Sequence, residues 1–383
     1  MRVKEICHSI TDGSHNPPQG VEESKYLMLS SKNIFDDEIT LDDPRFLTEN
    51  AFQQEDKRTR IVPGDVLLTI VGTVGRAAVV SDNMPRFTLQ RSVAVLHPKE
   101  DVCLSRYLMY ALRSKRAYIE KTAKGAAQKG IYLGEVGEID LPAPSITQQE
   151  TIVGILDKVS AVIQYRQRQL RTLDTLIKAR FVEMFGDPVA NPKGWEKRPL
   201  SEEAEIRIGP FGSLLHKEDY ISSGHALINP SHIINGRIAP DNDLTLTDDK
   251  YEELAPYHLL VGDVVMGRRG EMGRCAVVDR PGLLCGTGSL LIRTKGDLSA
   301  DYIQKIISFP SFKRTIEDMA VGQTMPNLNV PIVSAFQIIK PPKAVQDSYY
   351  AFVSQVDKSK VVVQAALDKA RVMFDRLMQE YFG

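Results

Sequence analysis

The sequence predicts an α+β protein built from two similar β-rich globular units and two long antiparallel coiled-coil helices, related as an internal pseudo-two-fold repeat. Three observations carry this. "GDVLLTIVGTVGRAAVV" at residues 64–80 returns without a gap as "GDVVMGRRGEMGRCAVV", 198 positions later, at residues 262–278. "GAAQKGIYLGEVGEIDLPAP" at 125–144 pairs with "GQTMPNLNVPIVSAFQIIKPP" at 322–342, offset by 197. After each of these comes a long stretch with no proline and a stepped apolar pattern. Self-similarity at a fixed offset marks a repeat, and it has to be read before any motif is trusted.

The first globular unit occupies residues 1–146. Residues 61–80 read as two strands flanking a turn that contains glycine, and "CLSRYLMYALRSKRAYIEKTA" reads as a helix. Ile131, Leu133, Val136, Ile139 and Leu141 fall at the same steps as Leu328, Val330, Val333, Phe336 and Ile338, so both halves close a core on the same backbone. Pro142 and Pro144, like Pro341 and Pro342, stop the strand pattern. Residues 147–186 form the first long helix, with Ile152, Leu156, Val159, Ile163, Leu170, Leu173, Ile177 and Met184 as its apolar seam and Arg166 interrupting it. "GDPVANPKGW" is a turn-rich linker that restarts a second globular unit over 187–343. Residues 344–383 repeat the helix, with Val345, Tyr349, Phe352, Val356, Val363, Ala366, Ala370, Met373 and Leu377 as its seam. Helices of about 38 residues are roughly 57 Å long, and a narrow apolar stripe of that length needs a partner helix. Each ends in a Phe-Gly pair, Phe185-Gly186 and Phe382-Gly383, with glycine suited to a C-cap.

Composition is that of an ordinary water-soluble chain, with 25% charged and 43% hydrophobic residues and a net charge of −1. No apolar run reaches the roughly 18 residues of a membrane span, and the first residues lack the apolar core of a signal peptide, so a cytoplasmic location with no membrane partner is expected. Cys7, Cys103, Cys275 and Cys285 form no CxxC pair, and no HExxH or paired-carboxylate spacing occurs, so neither a metal, a cofactor nor an acid–base pair is expected. A net charge near zero does not bar nucleic acid, because a local basic face suffices.

The order of parts resembles the specificity (S) subunit of type I restriction-modification systems. The resemblance rests on "ITDGSHNPP", the two Gly-Asp-Val segments, the helix entry "LPAPSITQQETIVGILDKV" and the restart "NPKGWEKRPLSEEAEI", and it covers nearly the whole chain. The second helix entry, "PPKAVQDSYYAFVSQV", departs from the family pattern, and the chain is short for the family, with no extension before the first domain. The resemblance implies that the globular units are target recognition domains, each reading one half of a bipartite asymmetric site in double-stranded DNA. It also implies that the paired helices fix the gap between the halves and dock two methyltransferase subunits and two restriction/translocase subunits. The chain itself would contribute no catalytic residue. Two rivals remain: a duplicated-domain enzyme with its site between the domains, and a coiled-coil protein-interaction scaffold.

The glycines of 262–278 match neither GxGxxG nor GxxxxGK[ST], and Thr69 replaces Gly267 in the first copy, so a hairpin turn is the better reading than a phosphate loop. Arg268 and Arg269 then become candidates for DNA contact, while Arg76 and Arg274, present in both copies, are read as structural. "HNPPQG" resembles an amino-methyltransferase loop but has Gln19 where the base-stacking aromatic belongs. Asp12, Ser14 and His15 of "TDGSH" are polar turn candidates. Of the seven Lys/Arg between residues 106 and 129, those at 113, 115, 116 and 121 are read as a solvated helix face. Lys124, Gln128 and Lys129 of the loop that follows are assigned to phosphate or base contact. Gln323 and Asn327 are the matching amides of the second copy, suited to adenine edges, and Ser213 completes the DNA-binding set.

Overall fold

The computed structural model describes residues 1–125, 128–320 and 327–383. They form two compact units: residues 1–170 with 362–383, and residues 171–361.

In the first unit, strands Cys7–Asp12, Val93–Pro98, Val66–Thr69 and Ala77–Val79 lie side by side in that order as an antiparallel sheet. A second sheet places Tyr26–Leu29 between Arg45–Leu47, antiparallel, and Phe87–Leu89, parallel. All four residues of Val66–Thr69 are buried, because the strand has a core on each face. Val66 and Leu68 join Tyr107, Tyr110 and the helices, whereas Leu67 joins Leu27, Leu29 and Phe87 of the second sheet. Strand alternation thus becomes a continuous apolar run, as expected for a sheet covered on both sides.

The second unit repeats the plan. Ala204–Ile208, Ser289–Thr294, Val264–Gly267 and Cys275–Val277 form the first sheet, and His225–Ile228 pairs parallel with Leu283–Cys285 in the other. Even the hairpin register is the same: Val66, Leu67 and Leu68 face Val79, Ala78 and Ala77, while Val264, Val265 and Met266 face Val277, Ala276 and Cys275. The turns between these strands have Gly72 and Gly75 at φ 81° and 83°, and Gly270 and Gly273 at 80° and 74°. A side chain rarely adopts that conformation, so the repeated glycines serve the turn.

The two long helices run Ile146–Phe185 and Lys343–Phe382. Within the first unit, Leu156 and Val159 from the first helix share a core with Phe374 and Phe382 from the second, so the helices pack antiparallel there. Within the second unit, Phe181 and Phe185 meet Tyr349 in the same sense, with ring centroids 5.6 and 5.3 Å apart. Gly186, at φ 78°, caps the first helix by donating its N–H to Val182 O. Each helix entry is pinned by a buried glutamine. Gln149 Nε2 donates to Val102 O and Pro144 O, both at 2.9 Å, and its Oε1 accepts from Leu104 N–H at 2.9 Å. Gln346 does the same to Pro341 O at 3.1 Å and from Ser299 N–H at 3.4 Å.

Four expectations are corrected. The seam of the second helix runs through Leu367 and Phe374, and Met373 is 54% exposed. A 3.6-residue turn drifts relative to a strict heptad, so the apolar face moves on by one position. Residues 105–122 form two helices, Ser105–Ser114 and Arg116–Thr122, rather than one. Their basic residues are not all a solvated face: Arg113 and Arg116 both pair with Asp36, and Arg116 Nε donates to Gly75 O at 3.2 Å. Finally, the matched segments around Val136 and Val333 contain short helices, Leu133–Gly137 and Val330–Ser334, whose five residues are too few to reveal a helical period.

Candidate nucleic-acid interface

In the first unit the loop after residue 122 folds back on the hairpin turn. Lys124 and Gly130 exchange backbone hydrogen bonds at 2.8 and 2.9 Å, Ile131 N–H donates to Ile70 O at 2.9 Å, and Gly72 N–H donates to Lys129 O at 2.9 Å. This brings loop and turn together over a groove of about 510 Å³. His15, Lys124 and Gln128, three of the residues expected from sequence, line it, and Asp12 forms part of its wall.

Asp12 and Ser14 themselves are buried, so of the predicted turn only His15 is presented. The cause is a close backbone approach: a Cβ on Gly13 would lie 2.2 Å from Leu89 O, so the segment is tucked beneath residues 89–91. Asp12 instead orients its neighbours. Its carboxylate meets His15 Nε2 at 2.7 Å and Arg58 at 2.6 Å. Ser14 O accepts from Arg91 N–H at 2.9 Å, which places Arg91 on the rim.

The groove also gathers residues the sequence reading passed over: Arg58, Arg91 and Tyr132, the last 71% exposed. Arg58 comes from the helix Glu49–Thr59 and Arg91 from the turn after Phe87–Leu89, both outside the two sequence stretches matched above. Tyr132 carried a signal, being an aromatic between Ile131 and Leu133 at a position out of phase with the matched apolar steps. Lys124 pairs with Glu135 at 2.8 Å, a bond that raises the lysine above its ordinary pKa and lowers the carboxylate. Among the described residues Arg91 meets no carboxylate within ion-pair distance, so the groove retains unneutralised positive charge.

The second unit repeats the junction and changes its chemistry. Leu328 N–H donates to Arg268 O at 2.9 Å, and Arg269 bridges Asn327. These bonds match Ile131 to Ile70 and Gly130 to Val71 in the first unit. Arg268 Nε donates to Asn327 Oδ1 at 3.0 Å. Burial, with the Arg269 charge alongside, pushes the Arg268 guanidinium below its ordinary pKa. Arg274, by contrast, is tied to Glu271 at 2.7 Å and to Pro230 O at 3.2 Å, and Arg76 lies over the Phe35 ring. Ser213 sits in the turn Gly212–Leu214, and its side chain lies outside the description, as does Gln323. Among the described residues no group of three His, Cys, Asp or Glu could hold a metal ion, and no helix is long and apolar enough to cross a membrane.

The frame is duplicated, and each copy carries basic residues on its hairpin–loop junction. Residues 2–174 match the family model described as the type I restriction modification DNA specificity domain. The chain is 19% identical over 272 residues to the type I restriction enzyme MjaVIII specificity subunit of Methanocaldococcus jannaschii, covering 66% of this chain and 63% of the relative. Identity to the MjaIX specificity subunit of the same organism is 22%, over 81% of this chain and 74% of the relative. To the EcoBI specificity subunit of Escherichia coli it is 24%, over 43% and 34%. The chain thus spans 63% and 34% of the length of two of these relatives. The crystal structure of the type I restriction-modification S subunit from M. genitalium shares the fold, with a TM-score of 0.56 at 14% identity, covering 100% of this chain and 95% of that one. Its first half thus carries the type I restriction modification DNA specificity domain, and the chain as a whole is similar to type I restriction-modification specificity subunits.

Proposed function

We propose that this chain is the DNA sequence-specificity subunit of a type I restriction-modification complex, acting in the cytoplasm. Residues 1–146 and 187–343 serve as two target recognition domains, each reading one half of a bipartite, asymmetric site in double-stranded DNA. Residues 147–186 and 344–383 serve as the spacer helices, which set the gap between half-sites and dock two methyltransferase and two restriction/translocase subunits. The chain contributes no catalytic group.

One observation supports this best. The two hairpin–loop junctions share their backbone hydrogen bonds but present different side chains. The first offers His15, Gln128 and Tyr132 beside Arg91, and the second offers Arg268, Arg269 and Asn327. A common frame with divergent surface chemistry is what two readers of unlike sequences require, since base contacts specify while the scaffold only positions. Two coupled half-sites also raise affinity through effective concentration.

The test is to express the chain with its modification subunits in a methylation-free host and map modified bases across the genome. A two-part motif with a fixed gap is expected, and deleting one heptad from both long helices changes the gap while both half-sequences stay readable. A single continuous motif, or an unchanged gap, overturns the reading.

A further inference from the structure

One backbone slot, at the start of the hairpin turn, carries Ile70 in the first unit and Arg268 in the second. The slot is the same by its bonding, since each residue's carbonyl accepts from the facing segment at 2.9 Å. Ile70 is 3% exposed and packs in the core. The frame therefore tolerates an apolar residue here, and a half-buried guanidinium is not needed to close it.

Burying a charge is costly unless it is paired, yet neither Arg268 nor Arg269 forms an ion pair among the described residues. The undescribed stretches, residues 126–127 and 321–326, contain no acidic side chain. Among the described residues the Arg268 side chain has one hydrogen-bond partner, the neutral Asn327 Oδ1, which takes up its Nε–H. That bond anchors the guanidinium at Nε, and among the described residues the two terminal nitrogens are left without a hydrogen-bond partner. It also engages one lone pair of Asn327 Oδ1, so the capacity left to the pair is chiefly donors, the guanidinium's own being donors alone.

An anchored, donor-only fork selects a ligand edge with two adjacent acceptors. In the major groove of B-DNA that edge is guanine O6 and N7, whereas adenine and cytosine each present a donor that would face these donors. Phosphate accepts hydrogen bonds too, but a backbone contact does not call for a buttressed side chain. Arg269, exposed and without such a brace, suits that role.

We propose that Arg268, oriented by Asn327, reads a guanine in one half-site while Arg269 binds the adjoining phosphate. The inference rests on the DNA-reading function proposed above.

The experiment uses the full chain assembled with its modification subunits and duplexes carrying the mapped target, followed by fluorescence anisotropy. One half-site should contain a guanine whose replacement by 7-deazaguanine, which keeps base pairing but lacks the N7 acceptor, weakens binding about five- to hundredfold. Arg268→Ile, which borrows the residue of the first unit, should bind the two duplexes equally and leave preference at the other half-site intact. Asn327→Ala should narrow the difference between them. Full wild-type sensitivity to 7-deazaguanine in Arg268→Ile overturns the proposal. So does a uniform loss on every duplex with a shallower salt dependence, which would mark a phosphate contact. A wild-type complex with no sequence preference at all overturns the function and the inference together.

Discussion

Replacing Gln149 with leucine tests whether the long helices are held at their entries by hydrogen bonds rather than by apolar packing alone. The leucine fills a similar volume, so the main loss is polar. Leu104 N–H, Val102 O and Pro144 O each lose their bond to the side chain. A buried group left unsatisfied costs about 1–3 kcal/mol, and partial rescue by water at one carbonyl brings the sum to about 2–4 kcal/mol. With a urea dependence of roughly 2–3 kcal/mol per molar for a unit of this size, the midpoint of the first unit should fall by about 1 M. Gln346→Leu is the mirror experiment, and the single tryptophan separates the two. Trp195 belongs to the second unit, where its Nε1 donates to Phe185 O at 3.1 Å. Gln346→Leu should therefore shift the fluorescence-detected transition, and Gln149→Leu should shift the circular dichroism transition while leaving the fluorescence in place. If neither variant moves its midpoint by more than 0.3 M, or both move the two signals alike, the local anchoring argument fails.

Two further outcomes are expected. Asp65 and Asp263 open the same turn but hold different cations, His97 at 2.6 Å and Arg293 at 2.7 Å. The Asp65 bond raises the His97 pKa above its ordinary value, so its stabilising contribution is fully present below about pH 6.5 and is lost as pH rises through the folded-state value. His97→Arg should remove that decline from urea midpoints taken between pH 6 and 8, and an identical pH profile would contradict it. For the helix seam, Phe374→Ala should destabilise by about 3–5 kcal/mol and Met373→Ala by less than about 0.5 kcal/mol. Calorimetry showing the reverse order would restore the strict heptad.

The repeat made the fold legible. Matched Gly-Asp-Val openings and matched apolar steps located the hairpins and the cores, because backbone geometry constrains those positions in both copies. The long helices were legible for a related reason, as 40 residues of stepped pattern outweigh any local ambiguity. The candidate site was legible only where it belongs to the repeated frame. Arg268, Asn327 and Lys124 sit on the junction within the matched stretches, whereas Arg58 and Arg91 enter from segments outside them. Burial of Asp12 and Ser14 could not be read from polarity, since it depends on how closely Gly13 approaches Leu89. The Phe374 face escaped because a heptad template cannot register a drift of one residue.

The first unit is discontinuous along the chain: Phe374 and Phe382, whose rings lie 6.0 Å from Tyr110 and 5.2 Å from Tyr107, are encoded about 200–210 residues beyond Leu170, after the whole of the second unit. At ribosomal rates of 5–20 residues per second that is a wait of roughly 10–40 s, during which the earlier half leaves the ribosome with part of its core lining open to solvent. The intervening unit, contiguous in sequence, completes itself first. A nascent chain of this design has reason to engage chaperones at its early segment, and a nonsense mutation near residue 360 would leave both hairpin–loop junctions encoded but the first unit without part of its core.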